Sequence, residues 1–195
     1  MRRTGFRDDA RGLAALEFAL IAPFLAVLIM GIAEMSLRFR ATDEFHRYLQ
    51  QAGDYLSRED ELFSDDIDDI YAAATQIMKP VEVAGQLDFD VSSIGYIADG
   101  SPELLWRRHR GGDPPAFDVA DAAGLGDPGE SVIRVGARFS YQSPIGGLIG
   151  VDALELDHAI YFRPRTTRVI AIDGSVADAG ANWDNDGHST EGGMT

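Results

Sequence analysis

The side chains of this chain that could do chemistry are few, and their spacing matches no common catalytic site. The four histidines share no paired spacing, and they are His46, His109, His158 and His188. No nucleophile elbow, phosphate-binding loop or dinucleotide fingerprint is present in the sequence. We therefore predict no catalytic residue, no cofactor and no enzymatic activity. His158 interrupts an apolar strand face, so we expect a partly buried, hydrogen-bonded histidine there.

One motif approaches a metal site. The opening of a calcium loop is matched by Asn182, Asp184, Asp186 and Gly187. Position 12 of that loop would be Gly193, where a bidentate glutamate is needed, and no flanking helices are predicted. We therefore predict no metal site, although a calcium-dependent adhesin stays an alternative.

Two charge clusters have structural explanations. Four acids within residues 65–69 suit the positive end of a helix dipole. The basic cluster beside Trp106, formed by Arg107, Arg108 and Arg110, is typical of a solvated strand edge that discourages edge pairing. The basic cluster could alternatively be an interaction patch and the acids could bind a cation, but the structural explanations are favoured because they need no ligand.

Glu17 is the one charged residue whose position needs a functional explanation. It is the only charge between Leu13 and Ala33, a run whose 21 residues would rise ~31 Å as a helix, which matches the ~30 Å hydrocarbon core of a bilayer. A carboxylate at the centre of a bilayer costs roughly 2.5–3.5 kcal/mol, so Glu17 needs a partner or a place near the interface. We predict one membrane-spanning helix over residues 13–33.

Charge is distributed unevenly along the 195 residues, whose formal net charge is −15. Residues 1–40 hold six arginines against four acids, whereas the remainder holds eleven basic residues against 28 acids. The acidic part would be repelled by phosphate backbones, which excludes nucleic acid as a partner. Arginines at 2, 3, 7 and 11 form a positive flank, which predicts a cytoplasmic N-terminus. The chain has no cysteine, so a disulfide framework is impossible.

The helical pattern continues beyond Ala33 but becomes amphipathic. One face is apolar and comprises Phe45, Tyr48, Leu49, Ala52, Tyr55 and Leu56. A single helix of ~45 residues is predicted, half in lipid and half against a domain. Pro23 lies in the apolar half and predicts a helix kink there.

Past this helix the pattern predicts an α+β domain. A second helix begins at a cap provided by Ser64 or Asp65 and is closed by Pro80. From Gly85 the period changes to two, which predicts a small antiparallel sheet of three to four strands with one face covered by helix. A bulge is expected at Ser92-Ser93, and residues 111–130 form a long loop. The predicted organisation is a basic leader (1–12), a transmembrane helix (13–33), its amphipathic continuation (34–58), an α+β domain (59–172) and a disordered acidic tail (173–195).

The N-terminal motif Gly12-Leu13-Ala14-Ala15-Leu16-Glu17-Phe18 resembles the processing site of a known family. It is similar to that of the TadE-like pseudopilins and minor pilins of the tight adherence (Tad) pilus, a branch of the type IV pilin superfamily. Further similarity lies in residues 18–23, 31–34, 141–144 and 163–165.

The resemblance implies a processing site between Gly12 and Leu13, cut by a prepilin peptidase. Glu17 is then the fifth residue of the mature chain and an assembly contact, because the new amine of Leu13 on one subunit can meet this carboxylate on its neighbour. The implied protein is a single-pass component of the bacterial inner membrane. Its C-terminal domain is periplasmic, and its partners are the prepilin peptidase, other pilins, the Tad assembly machinery and membrane lipid.

Two alternatives follow from the same residues. The apolar run could be a signal peptide cleaved before Glu34, because Gly31-Ile32-Ala33 is a small-x-small site, and the product would be a periplasmic or secreted binding module. Against this, Glu17 interrupts the apolar region. The chain could also be an uncleaved single-pass enzyme or adhesin.

Overall fold

The computed structural model of the chain describes residues 10–178 and residue 183. It is an α+β fold in which one long helix is laid over a four-stranded antiparallel sheet, as the sequence predicts. Helix α1 (Ala10–Leu56) is followed by β1 (Glu61–Leu62), α2 (Ser64–Ile77), β2 (Leu87–Tyr96), β3 (Pro102–Arg110), the 3-10 turn η1 (Val119–Ala122), β4 (Ser131–Tyr141), the single turn α3 (Gly146–Ile149), β5 (Leu154–Phe162) and β6 (Ala171–Ile172).

The main sheet has the strand order β3-β2-β4-β5, so β2 and β4 are central. A second, two-stranded parallel sheet pairs β1 with β6 and was not predicted, since two residues are too few to show a period. Helix α1 crosses β4 and β5, and α2 lies against α1 and β3.

The main core lies between the helices and one face of the sheet. From α1 it takes six buried apolar side chains, Ala41, Phe45, Tyr48, Leu49, Ala52 and Leu56. The alternating apolar positions of β2 and β4 face them, with Leu87, Phe89, Val91, Ile133, Val135, Ala137 and Phe139 buried. The predicted apolar face of α1 and the predicted alternation in the strands are therefore confirmed. The exception is Tyr55, which is 47% exposed because it lies at the margin between α1 and α2.

The opposite face of the sheet is also covered, which the sequence did not indicate. The long loop folds back over it through η1, and a second apolar cluster forms from Ile94, Tyr96, Ala122 and Val132. The Tyr96 hydroxyl donates a 2.7 Å hydrogen bond to the carbonyl of Ala122. This loop acts as a second cover of the sheet.

The predicted bulge lies on a different strand. Register shifts between Ser93 and Ile94, but β2 pairs without interruption with β4, and the extra residue is Leu105 of β3. The apolar residues of β2 change phase because Ile94 and Tyr96 face the second cluster rather than the first.

The N-cap of α2 also differs from the predicted Ser64 or Asp65. The helix begins at Ser64 with Phe63 as its N-cap, and the Asp66 carboxylate accepts a 2.8 Å hydrogen bond from the backbone N–H of Phe63. Ser64 donates its hydroxyl to Asp173 instead, at 2.5 Å.

The chain beyond β6, where disorder is expected from residue 173, keeps contact with the domain through residue 178. Asp173 accepts both the backbone N–H and the hydroxyl of Ser64. Asp178 forms an ion pair with Arg108, and Trp183 is 8% exposed. These contacts are possible because the acids meet polar partners on α2 and β3.

Candidate functional site: the N-terminal helix

The first half of α1 presents an apolar surface with no partner in the described part of the chain. Its large side chains are mostly more than half exposed, with Leu16 at 69%, Leu20 at 73% and Phe24 at 72%. Judged by length and composition, α1 is the one helix among the described residues that could cross a membrane. An exposed apolar surface of this length fits a single-pass membrane anchor.

Glu17 is exposed within this apolar surface. Within residues 13–178, no hydrogen bond or ion pair joins it to another side chain. Leu13 lies four residues earlier on the same helix face, about 6 Å away along the axis at 1.5 Å per residue. The structure thus keeps Glu17 and Leu13 adjacent and outward-facing, so both are available to a neighbouring molecule.

The other two predicted site residues lie in the same helix. Gly12 is within the helical backbone, since α1 begins at Ala10, and Pro23 lies inside α1 without ending it. The kink at Pro23 stays a prediction, as does the cleavage after Gly12.

Glu34 lies directly after the apolar run, and hydrogen bonds link this part of α1 to the segment that connects β4 and β5. Its residue is 4% exposed, and its carboxylate accepts hydrogen bonds from the Arg38 Nε, at 2.6 Å, and from the Ser143 hydroxyl. Arg38 also donates to the backbone carbonyl of Asp152. These two donors lower the pKa of Glu34, with the Arg38 hydrogen bond the larger cause. We call this arrangement of Glu34, Arg38, Ser143 and Asp152 the Glu34 clasp.

A second fastening lies near the other end of α1. Asp54 accepts hydrogen bonds from Arg58, at 2.5 Å, and from Arg165, at 2.8 Å. The backbone N–H of Arg165 donates to the carbonyl of Ser57 at 2.9 Å. The weaker part of the resemblance lies in residues 31–34, 141–144 and 163–165. The first of these segments is part of α1, and the other two are hydrogen-bonded to it.

A buried ion-pair cluster, which the sequence did not reveal, lies on the loop-covered face of the sheet. Asp90 is fully buried and pairs with Arg134 and Arg107, both at 2.9 Å. Both guanidinium groups lie over the ring of Phe117, at 4.3 and 4.7 Å from its centroid. The residue of the sequence that could have indicated this cluster is Gly136, a glycine inside strand β4 that pairs with Asp90 of β2. A Cβ at position 136 would come within 2.6 Å of side-chain atoms of both Arg134 and Asp90.

The remaining polar candidates behave as structural groups. Arg107, Arg108 and Arg110 lie on the edge strand β3, as predicted, but each pairs with an acid of the chain, namely Asp90, Asp178 and Asp68. Their hydrogen bonds to Asp68 and Asp178 lower the pKa of each of these two carboxyl groups. The cluster is therefore tied to the protein's own acids.

His158 is exposed rather than part of the core. Its ring lies 5.2 Å from that of His46, which is also exposed, where α1 crosses β5. The prediction of a partly buried core histidine is wrong because β5 is the edge strand, and His158 lies at the margin of the helix–sheet contact beside the exposed ring of His46. Among the described residues, no group of three or more His, Asp or Glu could hold a metal ion. The calcium-like residues Asn182, Asp184, Asp186 and Gly187 lie outside the described part.

Comparison with known proteins matches the same helix. Residues 12–53 match the family model described as TadE-like protein, which confirms the resemblance seen in the sequence. No curated protein and no solved structure gives a match. The TadE-like pilins are structural components of a pilus rather than a family of enzymes. The N-terminal helix of this chain, over residues 12–53, is therefore a TadE-like segment of the kind found in the pilins of the Tad pilus.

Proposed function

We propose that the protein is a membrane-anchored minor pilin or pseudopilin that takes part in assembling a Tad-type pilus. The observation that carries the proposal is the exposed apolar half of α1 with Glu17 as its only charge, within the TadE-like segment. Helix 13–33 holds the protein in the bacterial inner membrane, with residues 1–12 in the cytoplasm and the α+β domain in the periplasm. A prepilin peptidase cleaves after Gly12.

Glu17 acts after cleavage as an assembly contact. The cut leaves a cationic amine on Leu13, and an amine on one subunit pairs with the Glu17 carboxylate of a neighbour. Because water is excluded between packed apolar helices, the attraction is stronger there than in solution and offsets the desolvation of both ions. The partners are other pilins and the Tad assembly machinery, which meet this helix inside the membrane.

The N-terminal residue of the protein purified from its native membrane tests the processing step. We expect Leu13, because cleavage follows Gly12. A chain that begins at Glu34 would instead support a signal peptide and a periplasmic or secreted module. An intact start would reject processing and support a simple anchor.

The Glu17→Gln variant tests the assembly contact. The neutral amide lowers the cost of placing this side chain in lipid, so the protein should insert into the membrane at the normal level. It should enter pili poorly, since the intermolecular ion pair is lost. Asp43→Asn is the matched control, because Asp43 is exposed on the same helix outside the membrane span. Pilus formation by Glu17→Gln at the level of this control would contradict the proposed contact.

A further inference from the structure

An apolar loop lies beside the point at which α1 leaves the proposed membrane span. The segment 144–151 carries no charge, although a quarter of the chain's residues are charged. Leu148, in α3, is 80% exposed, the highest value among the large apolar side chains of the described residues. Val151 is 39% exposed. An uncharged, outward-facing apolar loop is unusual on a domain this acidic.

The loop has a fixed shape. The backbone N–H of Leu148 donates to the carbonyl of Ile145 at 3.0 Å, and that of Val151 donates to Gly146 at 2.9 Å. Gly150 ends the turn with a φ of +70°, a conformation that glycine adopts readily. Leu148 is therefore held outward by its own turn and does not depend on a partner for its position.

The Glu34 clasp fixes this loop at the membrane boundary. Ser143 and Asp152, which bracket the apolar segment, are the two groups that Glu34 and Arg38 bind. Glu34 follows the last residue of the apolar run directly, so at 1.5 Å per residue its backbone lies about 1.5 Å beyond the end of that run. The polar headgroup layer extends about 5–8 Å beyond the hydrocarbon on each side, and the loop therefore lies at its depth.

We propose that the segment 144–151 is a second membrane contact, in which Leu148 and Val151 insert into the interface of the lipid leaflet beside the helix. This proposal rests on the membrane anchoring of α1 proposed above. One exposed side chain of α1 on the same side of the boundary, Met35, would lie in the same layer, about 3 Å beyond the end of the apolar run. With the helix and the loop both in contact with lipid, the domain would be held at a fixed tilt against the membrane before it is assembled.

The absence of cysteine allows a direct measurement on the full-length protein. Single-cysteine variants at Leu148, Val151, Phe24 and Leu125 would be labelled with an environment-sensitive fluorophore. Each would be reconstituted in two sets of phosphatidylcholine vesicles, one with a nitroxide quencher high on the lipid acyl chain, for positions 148 and 151, and one with the nitroxide near the end of the chain, for position 24. Phe24→Cys reports insertion of the helix. Leu125→Cys is the matched control, since Leu125 is an exposed leucine in the loop at the opposite end of the sheet.

We expect quenching and a blue-shifted emission at positions 24, 148 and 151 and neither at position 125. If position 24 is quenched but 148 and 151 behave like 125, the loop contact is rejected and the helix anchor stands. If position 24 is not quenched, the anchor fails and the loop contact fails with it. Disulfide-linked dimers of the unlabelled Leu148→Cys protein, together with no quenching of its labelled form, would also overturn the proposal and assign the loop to a subunit contact.

Discussion

Asp90 shows how a single residue depends on its surroundings. A fully buried carboxylate is costly to desolvate, and here two guanidinium groups at 2.9 Å and a covering aromatic ring compensate for it. Removing the carboxylate would leave Arg134, itself 3% exposed, buried beside no acid. The cluster is therefore expected to be far more sensitive to substitution than the ion pairs on the surface.

The Asp90→Asn variant should lower the free energy of unfolding by about 3–5 kcal/mol, because it breaks a buried ion pair by removing one partner. Urea unfolding of the full chain in detergent micelles measures the change. Asp157→Asn provides the control, since Asp157 is about half exposed and pairs with Arg138 at 3.3 Å. That variant should cost about 0–1 kcal/mol. Equal losses of unfolding free energy in the two variants would contradict this prediction, because the Asp90 cluster would then contribute no more than an ion pair on the surface.

Glu34 predicts a dependence of stability on pH. Its pKa in the folded protein lies below the ordinary value of 4.5, because Arg38 and Ser143 stabilise the charged form. The stabilisation is therefore present above pH 4.5 and is lost as the pH falls through the lowered pKa. Glu34→Gln should lower the free energy of unfolding by about 1–3 kcal/mol at neutral pH. The gap between the wild type and this variant should narrow in acid.

Unfolding of both proteins across the acid range measures that gap. Asp43→Asn, the exposed acid on the same helix, is the control and should leave the pH dependence of the wild type in place. A gap that stays constant through the acid range would contradict the proposed role of the Glu34 carboxylate.

At the scale of elements, α1 has two chemically different halves that meet at Glu34. The first is exposed and apolar all round, and the second buries one face against the sheet. The glycines of the two halves reflect this difference. A Cβ at Gly53 would lie 1.9 Å from the ring of Phe162 in β5, whereas a Cβ at Gly31 meets nothing within 4 Å.

Gly53→Ala should therefore destabilise the domain by about 1–3 kcal/mol, because the added methyl group forces the Phe162 ring away from the helix. Gly31→Ala is the matched control in the same helix and should be neutral or stabilising by up to about 1 kcal/mol, because alanine favours the helix and meets no neighbour there. Adding Phe162→Leu to Gly53→Ala should recover part of the loss, since the two sites are in contact. Thermal unfolding of the four proteins in detergent tests this, and a neutral Gly53→Ala would show that the ring rotates aside at no cost.

At the scale of the whole molecule, charge and hydropathy divide the chain into two parts. A basic, apolar N-terminal segment precedes a domain with a large excess of acids. In the proposed orientation the arginines stay in the cytoplasm and the acidic domain faces the periplasm, which agrees with the positive-inside rule. In the same proposed orientation, the Glu34 end of the sheet would face the membrane.

This orientation predicts which positions a membrane-impermeant thiol reagent can reach. Ser101→Cys, in the exposed turn between β2 and β3, should be labelled in spheroplasts because it lies on the periplasmic side. Thr4→Cys, in the basic leader, should be labelled only after the membrane is opened, in cells without the prepilin peptidase, where the leader is retained. The opposite pattern would reverse the orientation, and the cysteine-free parent provides the blank.

The local features of this fold could be predicted from the sequence. The long helix, the second helix and the four strands follow from periodicity, and the TadE-like motif was identified from a short stretch of chain. These predictions succeeded because a helix or strand places residues only a few positions apart on one face. Which strand carries the bulge and which residue caps α2 were not determined in this way, since both depend on the packing of the whole domain.

Only the tertiary structure decided which distant groups meet. Glu34 and Ser143 are 109 residues apart in sequence, and Asp90 and Arg134 are 44 apart, so no local period relates them. The second cover of the sheet and the placement of the 144–151 loop beside Glu34, at the end of the apolar run, depend in the same way on long-range packing. The sequence by itself determined the long apolar helix, which fits a membrane anchor, and the acid within it. Tertiary contacts decided how the domain is fastened to that helix, because hydrogen bonds and ion pairs require a proximity in space that sequence order does not specify.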